Sequence, residues 1–275
     1  MALSARVSDN AARRARCVER LFEILHEDAD LLVVNKPAGL VCHPTKGDVY
    51  SSLISRLRLH VGADNPVFMI NRIDRETSGV VVVAKNALTA KQIGAIWAER
   101  AVAKVYWAIV HGHLKEDRGL IDAPLGKDER SEIAVKDCVR PDGKAAQTQY
   151  EVLRRFARAE GEFTWLRIEL RTGRKHQIRI HLQHIGHPLV GEKLYGADEY
   201  LYLKLAHDKL TAEDWQRLIL PCSALHAREL RFRWADKDWN FVAEPENGFT
   251  DFLGAEIAGE IAGGGNRCST ERDRD

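Results

Sequence analysis

Apolar and polar positions change their spacing several times along this chain, and each change marks an expected element. Residues 29–34 (ADLLVV) are a short apolar run closed by Asn35-Lys36-Pro37-Ala38-Gly39, where Pro37 and Gly39 punctuate a turn. Residues 79–85 (GVVVVAK) are largely β-branched without alternation, which predicts a strand covered on both faces. Over 88–100, Thr89, Ile93, Ile96 and Trp97 fall at helical spacing, and 104–110 (KVYWAIV) returns to a strand. The stretch 115–144, rich in charge, Pro and Gly, predicts a long connection or a hairpin excursion. Residues 147–153 and 164–170 alternate, the second placing Leu166, Ile168 and Leu170 on one face. From 175 to 185 the period becomes helical, with Ile178, Leu182 and Ile185 inward and Gly186 as the stop. Thr211 and Asp214 form a capping-box signature for a helix running through Leu220 to Pro221. Leu230, Phe232 and Trp234 then alternate in a late strand.

Strands and helices are interspersed without regular βαβ alternation and without an internal repeat. The expected class is α+β on a mixed sheet. Residues 1–20, polar and rich in Ala and Arg, are expected to form a flexible arm, 21–252 the folded domain, and 253–275 a Gly-rich, acidic, disordered tail. A length of 275 residues with 45% hydrophobic positions supports one large core and excludes a disordered chain or a disulfide miniprotein. The longest apolar run, 79–84, is far below the roughly 18 residues of a membrane span. No apolar stretch follows the N-terminal charges, so no secretory signal is visible. Cys17, Cys42, Cys138, Cys222 and Cys268 make no CxxC pair, which argues against a cysteine zinc site and points to a reducing cytoplasm.

Net charge is only +1, but it is unevenly spread. Residues 244–275 carry eight acids against three arginines, a net of −5, which leaves +6 on the remainder. Screening limits the reach of charge to about 10 Å at 0.1 M salt, so the total neither supports nor excludes a nucleic-acid partner.

Two clusters carry candidate chemistry. Asn71-Arg72-Ile73-Asp74-Arg75-Glu76-Thr77-Ser78-Gly79 places four charges between apolar segments, where each must be solvated or paired. Asp74 lies between Arg72 and Arg75, which favours its ionised form and makes it a candidate nucleophile or proton acceptor; the plainer reading is a solvated turn. The second cluster, 171–187, holds Arg171, Arg174, Lys175 and Arg179 with no acid among them. His176, His181, His184 and His187 are spaced by five, three and three, which resists the i, i+4 geometry of helical metal ligation. An Arg-rich helix start that binds phosphate is the more economical reading. Tyr106, alternating with Val105 and Trp107, reads as core or as a ring for base stacking.

Together these segments resemble the motifs of the RluA-type RNA pseudouridine synthase family. Val34-Asn35-Lys36-Pro37-Ala38-Gly39-Leu40 is similar to the first motif, and Arg72-Ile73-Asp74-Arg75-Glu76-Thr77-Ser78-Gly79 to the second, whose Asp is catalytic. Lys104-Val105-Tyr106 is similar to the element whose Tyr packs on the target uracil. Residues 171–181 (RTGRKHQIRIH) are similar to the third motif, whose last Arg pairs with the catalytic Asp, and Leu225-His226-Ala227 to a late element. Asn71 stands where the family usually has His, and Lys175 where it usually has Thr. The resemblance spans roughly 21–241, and the first twenty residues are too few for the N-terminal RNA-binding module of many relatives.

The resemblance implies a pseudouridine synthase fold: a bent, mixed and largely antiparallel sheet with flanking helices and a central active-site cleft. It implies Asp74 as the catalytic residue, with Tyr106, Arg179, Arg72 and Ile178 at the substrate and Arg72 as wedge or phosphate clamp for a flipped base. Lys36, Arg75, Arg174 and Lys175 are the further cations expected at the RNA. Uridine isomerisation involves no redox change or group transfer, so no cofactor and no metal are expected. The implied partner is structured ribosomal or transfer RNA, met by a cytoplasmic monomer away from membranes. The rival from another class, a non-catalytic RNA-binding or chaperone protein of the same fold, predicts loss of Asp74, Tyr106 or Arg179, and all three are present. A small-molecule hydrolase using Asp74 or a histidine-bound metal is the second rival.

Overall fold

A computed structural model of the chain describes residues 22–44, 52–62 and 64–254. The arm expected over 1–20 and all but the first two residues of the tail expected over 253–275 lie outside the described residues. In chain order the elements are β1 (Glu23–Glu27), β2 (Leu31–Lys36), α1 (Leu53–Val61), β3 (Phe68–Met69), β4 (Ser78–Ala84), α2 (Ala87–Ala98), β5 (Val102–His111), β6 (Arg118–Asp122), β7 (Leu125–Lys127), β8 (Asp137–Val139), β9 (Gln147–Arg158), β10 (Gly161–Leu170), α3 (Gln177–His184), α4 (Tyr200–Ala206), α5 (Ala212–Leu218), β11 (Leu225–Trp234), β12 (Lys237–Val242) and α6 (Asn247–Leu253).

Ten strands form one mixed sheet in the order β1-β2-β4-β11-β5-β10-β9-β6, with β12 beside β11 and β3 beside β4; β7 and β8 pair separately. The class is α+β, as expected. The sheet is antiparallel except at one place. There β4 and β11 run parallel, with Ser78 opposite His226 and Gly79 opposite Ala227. This seam joins a half built from β1–β4 to a half built from β5, β6, β9 and β10.

The valines of β4 explain why that strand sits centrally. All four are fully buried, and they split by parity. Val81 and Val83 pack with Leu53, Ile54 and Leu57 of α1, whereas Val80 and Val82 pack with Ile93 of α2 and with Leu230, Phe232 and Phe241. Burying each contributes about 1.5–3 kcal/mol relative to exposure. On the other half, Ile178 and Leu182 of α3 cover Ala108, Val110, Leu166 and Ile168. Tyr106 packs against the apolar clusters of both halves and so bridges the seam.

The seam is tight. A Cβ on Gly79 would meet the Ala227 carbonyl oxygen at 2.2 Å, and φ is +117°, so only glycine fits there. His226, fully buried, locks the same junction: its Nε2–H donates to the Ala243 carbonyl (2.9 Å) and its Nδ1 accepts from the Ser78 hydroxyl (2.9 Å). Burial pushes the His226 pKa down to about 4, which keeps the ring neutral.

Several sequence expectations need amending. The capping box of Thr211 and Asp214 is present, but α5 ends at Leu218, because Ile219 turns into positive φ before Pro221. Of the two alternatives for 115–144 the hairpin excursion is present, as the antiparallel β7–β8 pair, and the stretch also supplies the edge strand β6. Leu253 is buried at the end of α6, so the folded part continues past residue 252. Among the described residues no helix is long and apolar enough to cross a membrane.

Candidate active site

The turn carrying Asp74 is held from three sides. Asn71 reaches across it: its Nδ2 donates to the Val80 carbonyl (3.1 Å) and its Oδ1 accepts from the Val82 N–H (2.7 Å). The Thr77 N–H donates to the Asp74 carbonyl at 3.2 Å, closing the turn. From the 37–40 loop, the Gly39 N–H donates to the Arg75 carbonyl (2.8 Å). The third support is Lys36, whose ammonium donates to the carbonyls of Pro37, Leu40 and Arg75.

Asp74 meets its cation from the far side of the seam. Arg179, in the first turn of α3, donates from Nη1 to Asp74 Oδ2 at 3.1 Å. The same guanidinium makes a two-pronged contact with Glu192, Nε at 2.8 Å and Nη2 at 2.7 Å. Glu192 is in turn held by the backbone N–H groups of Leu194 and Tyr195. The Tyr195 ring lies over the guanidinium at 5.1 Å. Side-chain exposure falls along this line from 28% at Asp74 to 10% at Arg179 and 1% at Glu192, so the buried end is anchored and the Asp74 end faces solvent.

Electrostatics follow from that gradient. Burial alone would favour neutral Glu192, yet the Arg179 charge and its hydrogen bonds hold the carboxyl well below the usual carboxylate range. Burial likewise opposes the Arg179 charge, and Glu192, Asp74 and Glu76 outweigh it. A fixed, permanently charged guanidinium therefore sits against Asp74. Tyr106 is close enough to register that carboxylate: burial first, and then the Asp74 charge, push its pKa up and keep the phenol neutral. The arrangement offers a carboxylate with one oxygen fixed, beside a neutral aromatic ring and an apolar wall containing Ile178, which packs in the same cluster as Tyr106.

The other sequence candidates scatter. Arg72 and Arg75 are exposed, and Arg75 Nε donates to the Gly39 carbonyl at 3.2 Å. The ionic support for Asp74 thus comes from Arg179, 105 residues away, rather than from its two sequence neighbours. Lys36 is fully buried and occupied by three carbonyls, so it braces the loop instead of presenting charge to a partner. Arg174 donates to the Ala145 carbonyl, and exposed Lys175 pairs with Asp137 at 2.9 Å. The helix start read as a phosphate site is instead led by His176 in a left-handed conformation, with Arg179 turned inward onto carboxylates. His181 bonds to Thr148 and to the Ala123 carbonyl, and His187 to the His111 carbonyl. Among the described residues no group of His, Cys, Asp and Glu has the geometry to hold a metal.

Sequence reading missed Glu192, Lys193 and Tyr195. Lys193 donates to Glu76 (2.9 Å) and to the carbonyls of Gly191 and Pro221. The signal available was two adjacent charges inside an apolar stretch, Leu189-Val190-Gly191-Glu192-Lys193-Leu194-Tyr195, where neither is cheaply buried alone.

Residues 30–184 match the family model for RNA pseudouridylate synthases. The chain is 40% identical over 181 residues to the RNA pseudouridine synthase YlyB of Bacillus subtilis, covering 64% of this chain and 58% of that protein. It is 43% identical over 180 residues to the ribosomal large subunit pseudouridine synthase D of Pseudomonas aeruginosa, covering 64% and 53%. The match thus spans between half and two thirds of those relatives' length. Among solved structures, human RNA pseudouridylate synthase domain containing 4 aligns over 92% of this chain and 97% of its own, at 27% identity and a TM-score of 0.64.

Proposed function

Since the chain belongs to the RNA pseudouridylate synthase family, we propose that it isomerises specific uridines of structured RNA to pseudouridine, with Asp74 as the reacting carboxylate. Ribosomal RNA is the first substrate to test, because relatives such as that of Pseudomonas aeruginosa are named for the large ribosomal subunit. The observation that carries the reading is the Asp74–Arg179–Glu192 line, with its solvent-facing end at the carboxylate and Tyr106 beside it.

The reaction breaks N1–C1′ and forms C5–C1′; C5 gives up one proton and N1 gains one, so atoms and electrons balance without a redox partner. Asp74 turns its solvent-facing carboxylate to the ribose, while Arg179 fixes one of its oxygens at 3.1 Å. Tyr106 offers its face to the detached ring, and the apolar wall around Ile178 excludes water. A stacked uridine reaches the site by flipping, with Arg72 at the exposed edge of the turn to fill the gap or to clamp phosphate. Arg75, Arg174 and Lys175 extend that cationic edge, and Lys36 serves it from within by fixing the loop. The protein acts as a monomer in the cytoplasm under this reading.

The test is pseudouridine mapping in total RNA from cells with and without the gene, complemented by wild type or Asp74→Asn. Loss of one or a few pseudouridines in the deletion, restored by wild type and not by Asp74→Asn, is the expected outcome. Full restoration by Asp74→Asn would point to an RNA-binding role without chemistry at this carboxylate and would overturn the assignment.

A further inference from the structure

The two oxygens of Asp74 are faced by two different groups. Arg179 holds Oδ2, while Oδ1 faces His176 Nε2 across 3.9 Å, too long for a hydrogen bond. His176 immediately precedes α3 with φ 55° and ψ 17°, the left-handed region, a strained conformation for a residue with a Cβ. Its side chain makes no cap to the helix in return. What the conformation achieves is the position of the ring. Nδ1 lies 2.8 Å from the Tyr195 hydroxyl, whose own ring packs on Arg179.

The far end of this chain of groups sets its polarity. The Asp137 N–H donates to the Tyr195 oxygen at 3.3 Å, so the hydroxyl proton is left to be given, and His176 Nδ1 is there to accept it. An imidazole that accepts at Nδ1 carries its single proton on Nε2, the nitrogen aimed at Asp74. Burial lowers the His176 pKa against the pull of the Asp74 charge, in keeping with a neutral ring. The charged and titratable groups facing it are Asp74, Glu192, Arg179, Lys175 and Tyr195.

We propose that His176 is a positioning residue for Asp74: its Nε2–H, aimed by Tyr195, closes on the carboxylate oxygen that Arg179 leaves untouched and fixes the rotation of the carboxylate plane against the flipped nucleoside. The proposal rests on the assignment of Asp74 above. It separates the two donors by kind. Arg179 supplies charge, and His176 supplies direction without adding a second cation that would blunt the carboxylate.

The experiment uses total RNA labelled with [5-³H]uridine in cells lacking the gene, with tritium release reporting loss of the C5 proton. His176→Phe, which keeps a ring and removes the N–H, should lower kcat about tenfold or more with KM within about twofold. His176→Gln, bearing the same left-handed backbone cost as His176→Phe, regains an N–H donor and should recover most of that loss. Tyr195→Phe removes the bond that favours the neutral ring, so the His176 pKa rises and the acid limb of kcat moves to higher pH. Nitrogen NMR of the wild type should find the Nε2–H tautomer of His176. A His176→Phe variant with wild-type kcat, an Nδ1–H tautomer, or an unmoved acid limb in Tyr195→Phe overturns the proposal; with Asp74→Asn still inactive, the Asp74 assignment survives. Tritium release by Asp74→Asn overturns both.

Discussion

Two carboxylates of one turn meet opposite circumstances. Asp74 and Glu76 each receive a cation from the chain beyond β10, Arg179 at 3.1 Å and Lys193 at 2.9 Å. Around Glu76 the pairing is closed. Its Oε2 accepts from Lys193 and from the backbone and hydroxyl of Ser223, while the ammonium divides its three bonds among Glu76, Gly191 and Pro221. Around Asp74 it is lopsided, since Arg179 gives two donors to Glu192 and one to Asp74, which keeps 28% of its side chain exposed. Under the proposed assignment of Asp74, burial of an ion pair does not mark the reacting carboxylate, whereas unequal sharing of its cation does. The saturated pair fastens the turn to the later chain, and the unsaturated one retains capacity for a ligand.

Breaking each pair in turn is the strongest way to test that contrast. Arg179→Ala leaves Glu192 buried without its cation, which should cost about 3–5 kcal/mol in urea denaturation and lower turnover by about 100-fold or more. Lys193→Met should destabilise by about 1–3 kcal/mol, because Glu76 keeps Ser223, while turnover per folded molecule stays within about twofold. Equal loss of turnover in both variants would erase the distinction.

Lys36 sharpens it through pH. Burial lowers its pKa from 10.5 to about 8, so between those values the unfolded chain binds more protons than the folded one. Stability from this group accordingly rises as pH rises from about 8 toward 10.5. Over the same range the ammonium that grips the Arg75 carbonyl is lost, so turnover should fall while stability gains. Lys36→Met should remove that share of the alkaline rise, read by urea denaturation at pH 7.5 and about 9.5. An unchanged slope would show that the ammonium is not the titrating group. The smallest effect is expected at Arg72, exposed on the same turn. Arg72→Ala should reduce the salt slope of RNA binding by about one and leave stability within about 0.5 kcal/mol.

Elements with strong local pattern were legible. The valine run of β4, the helical spacing of α2 and α3 and the Thr211 capping box all appear where their residues predicted. Helix α1 was not anticipated, although Leu53, Ile54, Leu57 and Val61 follow a helical stripe after the cap Ser52. Its nine residues are fewer than the roughly ten to twelve at which periodicity separates a helix from other short apolar segments. The site divides the same way. Asp74 and Arg179 were named from motifs, and the structure brings them to 3.1 Å. Glu192 and Tyr195 escaped notice because their value lies in partners on other elements, and no local period encodes a contact across the seam. The neighbours Arg72 and Arg75 misled for the converse reason: adjacency in sequence looked like ionic support, while both side chains turn to solvent.

The parallel junction also dictates a timetable. Ser78 and His226 are separated by 148 residues, so at 5–20 residues per second the ribosome needs roughly 7–30 s to deliver the second after the first. Throughout that interval Val80 and Val82 have Ile93 of α2 but lack Leu230, Phe232 and Phe241, so the nascent chain carries a sticky valine face that is only partly covered. Demand for holding chaperones should peak in that window and end when β11 emerges.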